Sequence, residues 1–283
     1  MQLFLAALLL LPSGVSAEPP PARRGKPAWV EPMRKVHARF KGKAGTFAQF
    51  GDSITVTMAY WAPLSQPPKK MDPATTLDYV LVKKYLKPEC WGRWKGPDYG
   101  SNGSMTIRWA DDNLDKWLRD HNPEVVLIMF GTNDLGQLEL NEYADKTRAV
   151  VKRCLKNGSV VILSTIPPRS GQQEKAKKFA AAVRKIAREE GVPLIDYFEE
   201  CLRRRPDDWD GSLPKFRDEP GGGYEVPTLI SRDGVHPSYP ARYRDMSPES
   251  LRCNGYLLRS YLTLRAYAAV LREVLRPEGG KKP

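Results

Sequence analysis

The chain of 283 residues contains only three histidines, so the search for a general base is short. His37 lies in the amphipathic segment 36–40 and His121 ends a helical run beside Asn122-Pro123, where a histidine suits the helix dipole; both read as structural. His236 lies in Asp233-Gly234-Val235-His236-Pro237, three residues after a carboxylate able to fix its tautomer. A serine hydroxyl attacks only when such a base takes its proton, and Ser53, in Gly51-Asp52-Ser53-Ile54-Thr55, is the candidate nucleophile. Acyl transfer also needs donors aimed at a developing oxyanion. The candidates are the Ser53 N–H, the side-chain amide of Asn133 in Gly131-Thr132-Asn133-Asp134, and the N–H of Gly103 in Tyr99-Gly100-Ser101-Asn102-Gly103-Ser104. Gly100 stands three residues before Gly103, and either can be the turn glycine.

These residues can act together only if the fold brings them to one edge. Short apolar runs at 46–50, 125–130, 160–164 and 192–196, each bounded by Gly, Pro, Asn or Asp, predict strands. Helical periods cover 74–86, 106–121, 139–156, 172–190 and 249–275. In 172–190, Phe179, Ala182, Val183, Ile186 and Ala187 share one face and Lys and Arg the other. Strand–helix alternation implies right-handed crossovers and a parallel sheet covered on both faces. Ligands in such folds bind at the carboxyl ends of the strands, which is where Ser53 and Asn133 fall. The expected domain spans 29–276, after a flexible linker at 18–28 and before a disordered tail at 277–283. Insertions near 56–99 and 202–248 interrupt the alternation.

In this order the blocks resemble those of the SGNH/GDSL hydrolase family. Gly51-Asp52-Ser53 is similar to its first block, Gly103 to its second-block glycine, Gly131-Thr132-Asn133 to its third, and Asp233-Gly234-Val235-His236 to the block that supplies acid and base. The resemblance covers about 46–275. It implies an α/β, three-layer, flavodoxin-like fold with a central parallel five-stranded sheet in the order 2-1-3-4-5. It also implies a Ser53-His236-Asp233 triad with Ser53, Gly103 and Asn133 as the oxyanion hole. No cofactor is implied. Asp134 reads as a helix cap.

Both insertions are expected over the Ser53 cleft. Trp61, Trp94, Tyr239 and Arg242 are the candidate substrate contacts, the aromatic rings as flat faces for a sugar. No metal site is expected: the acidic stretch 206–211 lacks the spacing of a calcium loop, and no histidine neighbours a cysteine. Nothing matches a phosphate-cradling loop or a nucleic-acid module.

The charge balance, 45 Lys+Arg less 33 Asp+Glu or +12, admits a polyanionic partner without demanding one. Residues 1–17 carry no charged side chain. Their apolar run 3–11, Pro-Ser-Gly break and Val15-Ser16-Ala17 predict a cleavable signal peptide and a secreted or periplasmic protein with no integral membrane association. An oxidising compartment permits disulfides among Cys90, Cys154, Cys201 and Cys253; four buried thiols are the equal alternative. The resulting expectation is a secreted serine esterase acting on a small-molecule or glycan ester, without nucleic acid. The alternatives are a lysophospholipase or thioesterase, and a non-catalytic polyanion-binding module on the same fold.

Overall fold

The computed structural model describes residues 25–276. The signal-like segment 1–17, linker residues 18–24 and the tail 277–283 lie outside the described residues. Residues 25–28 are exposed and belong to no helix or strand.

In chain order the elements are α1 (Val30–His37), β1 (Phe47–Gly51), α2 (Ser53–Val56), α3 (Pro73–Tyr85), α4 (Ile107–His121), β2 (Val125–Met129), α5 (Asp134–Gln137), α6 (Leu140–Lys156), β3 (Val160–Ser164), α7 (Gln173–Glu189), β4 (Leu194–Ile195), α8 (Tyr197–Arg204), α9 (Ser250–Cys253) and α10 (Gly255–Val270). The strands are parallel in the order β1-β2-β3-β4, with Gly51 opposite Met129 and Val125 opposite Val160. Runs such as Val-Val-Leu-Ile-Met are apolar throughout because a parallel sheet is covered on both faces, and every residue of β1, β2 and β3 is buried. One layer is α4, α6 and α7 side by side; α10, packed on α3 and α8, belongs to the other with α1. This is a mixed α/β, flavodoxin-like architecture.

Among the described residues the sheet has four strands where five were expected. Beside β1, in place of a further edge strand, there is a single parallel bridge between Gly51 and Ser101. The chain arriving there reads Lys95-Gly96-Pro97-Asp98-Tyr99-Gly100, and proline and left-handed glycines do not sustain a ladder. The fourth expected strand, 192–196, shrinks to Leu194–Ile195, because Pro193 has no N–H to give and Asp196 already caps α8 through Glu199 N–H. The single helix expected over 249–275 is broken at Asn254, whose side chain accepts the Leu257 N–H and starts α10 afresh. All four cysteines are free thiols, and burial pushes Cys90 and Cys154 up to about 12.

Candidate active site

Asp52 turns the end of β1 into α2, so Ser53 sits at the first helical position, where its N–H has no intrahelical acceptor. Asp52 Oδ1 accepts the Ile54 N–H at 3.0 Å. Burial pushes the Asp52 carboxyl up to about 6, against the pull of that N–H and of Arg259.

The Ser53 hydroxyl meets His236 Nε2 at 2.9 Å, and His236 Nδ1 meets Asp233 Oδ2 at 2.7 Å. The second Asp233 oxygen accepts the Val235 N–H (2.8 Å), the His236 N–H (2.9 Å) and the Ser231 hydroxyl (2.8 Å). Partial burial pushes this carboxyl up, but the His236 ring and the three other donors outweigh it and hold it well below the usual carboxylate range. The loop is pinned from outside, since the Ser170 N–H donates to Gly234 O at 2.8 Å.

The two oxyanion candidates outside α2 share the rim. The Asn102 N–H donates to Gly51 O at 3.1 Å on one side, and Asn133 Nδ2 donates to Met105 O at 3.0 Å on the other. That bond fixes the amide of Asn133 and leaves its second N–H free. Gly100 is the turn glycine: its φ is +80°, its carbonyl accepts the Gly51 N–H, and a Cβ there would lie 2.2 Å from the Phe50 ring. Gly103 has open space around its Cα and a backbone N–H with no acceptor among the described residues. Asp134 does cap a helix, but the helix is α4, through the Ile107 N–H at 2.8 Å, and burial pushes its carboxyl up to about 7.

Several residues at the site carried no sequence signal. Arg259, fully buried on α10, donates to Ile54 O at 2.6 Å and Thr55 Oγ1 at 2.9 Å, with its guanidinium 3.7 Å from the Tyr60 ring centre. Lys95 donates to the carbonyls of Thr55 and Thr57, each at 2.8 Å, and of Tyr60 at 3.2 Å; burial beside Arg259 pushes its ammonium down to about 7. Two cations thus hold the carboxyl end of α2. Arg169, in the loop after β3, donates to Thr132 O at 2.6 Å and so braces the residue before Asn133. Its place after a strand is the one feature that could have drawn attention to it. Tyr224, 46% exposed, lies with its ring 6.0 Å from that of His236.

The substrate candidates divide. Trp61 is wholly buried, stacked on Trp91 at 5.0 Å and edge-on to Phe47, with its ring N–H donating to Cys90 O; it is core and offers no face to a ligand. The insertion folds inward here, where the outer edge of β1 carries only the Gly51–Ser101 bridge in place of a strand. Trp94 packs on Tyr99 and His121, at the end of α4 opposite the Asn133 loop, so it too is not gathered around Ser53. Tyr239 is half-buried under the Arg244 guanidinium, and Arg242 is exposed over Tyr243. Arg232 is committed to the carbonyls of Phe216, Glu219 and Gly221. Among the described residues no three His, Cys, Asp or Glu side chains converge on a metal position, and no helix is long and apolar enough to cross a membrane.

With fold and site in view, comparison with known proteins defines the class. The model of the GDSL-like lipase/acylhydrolase family matches residues 50–240. The chain belongs to that family of ester hydrolases, as the block order led one to expect. No curated protein matches the chain. Among solved structures it is similar to an acylhydrolase of Bacteroides fragilis, at 16% identity and a TM-score of 0.51, over 85% of this chain and 96% of that one. It is similar to esterase EstA of a Pseudoalteromonas species, at 16% identity and 0.50, over 81% and 99%. A G-D-S-L family protein of Desulfitobacterium hafniense gives 17% identity and 0.50, over 78% and 99%. At these identities the likeness bears on the fold alone.

Proposed function

We propose that the protein is an exported serine esterase of short acyl groups, in which Ser53, His236 and Asp233 carry the chemistry. The observation that supports this most is the unbroken line from Asp233 through His236 to the Ser53 hydroxyl, at 2.7 and 2.9 Å. His236 Nε2 takes the Ser53 proton as Oγ attacks the acyl carbonyl, and Asp233, ionised throughout, stabilises the imidazolium. The oxyanion is received by the N–H groups of Ser53 and Gly103 and by the free amide hydrogen of Asn133. His236 then protonates the leaving alcohol. Water, deprotonated by the same imidazole, releases the acid from the acyl-enzyme and restores Ser53. Export rests on the signal-like residues 1–17 and on nothing in the described fold.

A carbohydrate is favoured as the alcohol portion because the exposed ring of Tyr224 offers aromatic surface beside His236. A chain-length series of aryl esters tests the acyl preference. Turnover by the wild type should be highest with acetyl and fall towards decanoyl, and Ser53→Ala should abolish it. Rates rising with chain length would favour the lysophospholipase or thioesterase alternative, and undiminished turnover by Ser53→Ala would remove Ser53 from the mechanism.

A further inference from the structure

The two insertions meet over a cleft of about 410 Å³. One wall is Pro63, Pro67 and Pro68, from the chain that follows α2; the other carries Arg242 and Arg244, from the chain that follows His236, and Lys69 completes the rim. The walls are tied together, since the Met246 N–H donates to Lys69 O at 2.8 Å and Lys70 pairs with Asp245 at 2.9 Å. Proline rings make a stiff wall that gives no backbone N–H to a ligand. Polar recognition in the cleft therefore falls to the cations.

Their charge is uncompensated. Lys69, Arg242 and Arg244 are exposed, and none makes an ion pair among the described residues. Asp245, which also lines the cleft, is taken up by Lys70, the Ser247 N–H and the Ser250 hydroxyl. Nearby Glu225 accepts the Ala241 N–H at 2.7 Å. Arg244 lies 4.3 Å over the Tyr239 ring and Arg242 lies 4.7 Å over the Tyr243 ring. Stacking fixes a guanidinium plane while leaving its N–H edge outward, the fork that matches a carboxylate or sulfate. Side chains already held in place also lose less entropy when a ligand binds. Contacts link the cleft to the triad: Arg244, on the cleft wall, lies over Tyr239, the Tyr239 N–H donates to Tyr224 O at 2.7 Å, and the Tyr224 ring lies 6.0 Å from that of His236.

We propose that this cleft is an anion subsite of the same active centre, binding a carboxylate or sulfate on a sugar that flanks the ester-bearing one, so that the substrate is an acidic glycan ester. The assignment rests on the esterase reading above, and its test is arranged so that the two can fail separately.

Initial rates of the full chain are compared on an acetylated polyuronate, an acetylated sulfated galactan and acetylated xylan as the neutral control. An acidic polymer should show a KM about tenfold below that of xylan at low salt, a gap worth roughly 1.4 kcal/mol. The gap should close near ~0.5 M salt. Arg242→Gln with Arg244→Gln should raise the acidic KM until the ratio is about one. Which acidic polymer is preferred separates carboxylate from sulfate. Equal KM values for acidic and neutral polymers at low salt would overturn the subsite and leave the esterase standing. Calorimetric titration with the de-esterified acidic polymers reads the subsite without catalysis. Binding lost in the double variant would support the subsite even if no ester were cleaved. Absence of binding, or binding to anionic phospholipid vesicles in its place, would overturn it.

Discussion

Asp52 and Asp134 are buried carboxyls whose burial pushes them up to about 6 and about 7, while Asp233, itself partly exposed to solvent, is held low by four donors. The opposite shifts have opposite consequences for stability. Asp134 in the folded chain keeps a proton that an unfolded aspartate releases near pH ~4. Its contribution is therefore fully present below about pH 4 and is lost as pH rises through about 7. Asparagine can still accept the Ile107 N–H and has no proton to lose. Asp134→Asn should gain on the wild type in urea midpoint steadily between about pH 4 and 7, then hold a constant lead. Parallel pH curves for the two proteins would contradict this. Ser53, Asn133, Asp233 and His236 stood out as candidates because each lies in a short block at a strand end or in a loop, and the fold brings Asp233, His236 and Ser53 into one hydrogen-bonded line. Trp61 misled because an aromatic residue in an insertion looks the same in sequence whether it lines a cleft or fills a core. Arg259 and Lys95 were silent because their partners are backbone carbonyls, which any residue possesses.

At the scale of elements, α2 has only four residues, too few for its own hydrogen bonds to hold it. Its position depends on what grips it, and Arg259 and Lys95 grip the end opposite Ser53. Replacing Arg259 by Met keeps bulk but strands two buried acceptors, a loss of about 1–3 kcal/mol for each. Arg259→Met should lower kcat by about tenfold or more with a smaller change in KM, and Arg259→Lys should recover part of it, as transition-state geometry suffers more than binding. Full kcat in a folded Met variant would show that α2 holds itself. Strand and helix periods located β1, β2, β3, α3, α4, α6 and α7 within a residue or two. Tyr197–Arg204 went unassigned between the strand expected at 192–196 and the insertion read near 202–248, and the missing edge strand was written in Gly96, Pro97 and Gly100, which only the structure shows in place of a ladder.

Over the whole molecule, the sheet fills its core with apolar side chains, and three of the four thiols lie within buried surroundings without pairing. A core of this size does not need covalent staples. The melting temperature of the purified protein should accordingly be unchanged by a thiol reductant; a fall of several degrees would reveal a disulfide. The excess of +12 is likewise resolved by position. Arg259 and Lys95 serve α2, Arg169 braces the Asn133 loop, and Arg232 serves its own loop. Arg242, Arg244 and Lys69 remain outward and unpaired where the two insertions meet. A sequence count cannot separate these groups, because it records charge and not its neighbours.

The central claim is that Ser53 is activated by His236, and covalent labelling with a fluorophosphonate tests it most directly. Intact-mass measurement and peptide mapping should find a single phosphonyl adduct on Ser53 in the wild type. The adduct should be absent in Ser53→Ala and form far more slowly in His236→Ala. A folded wild-type protein that stays unlabelled, or carries the label on another residue, would contradict the account.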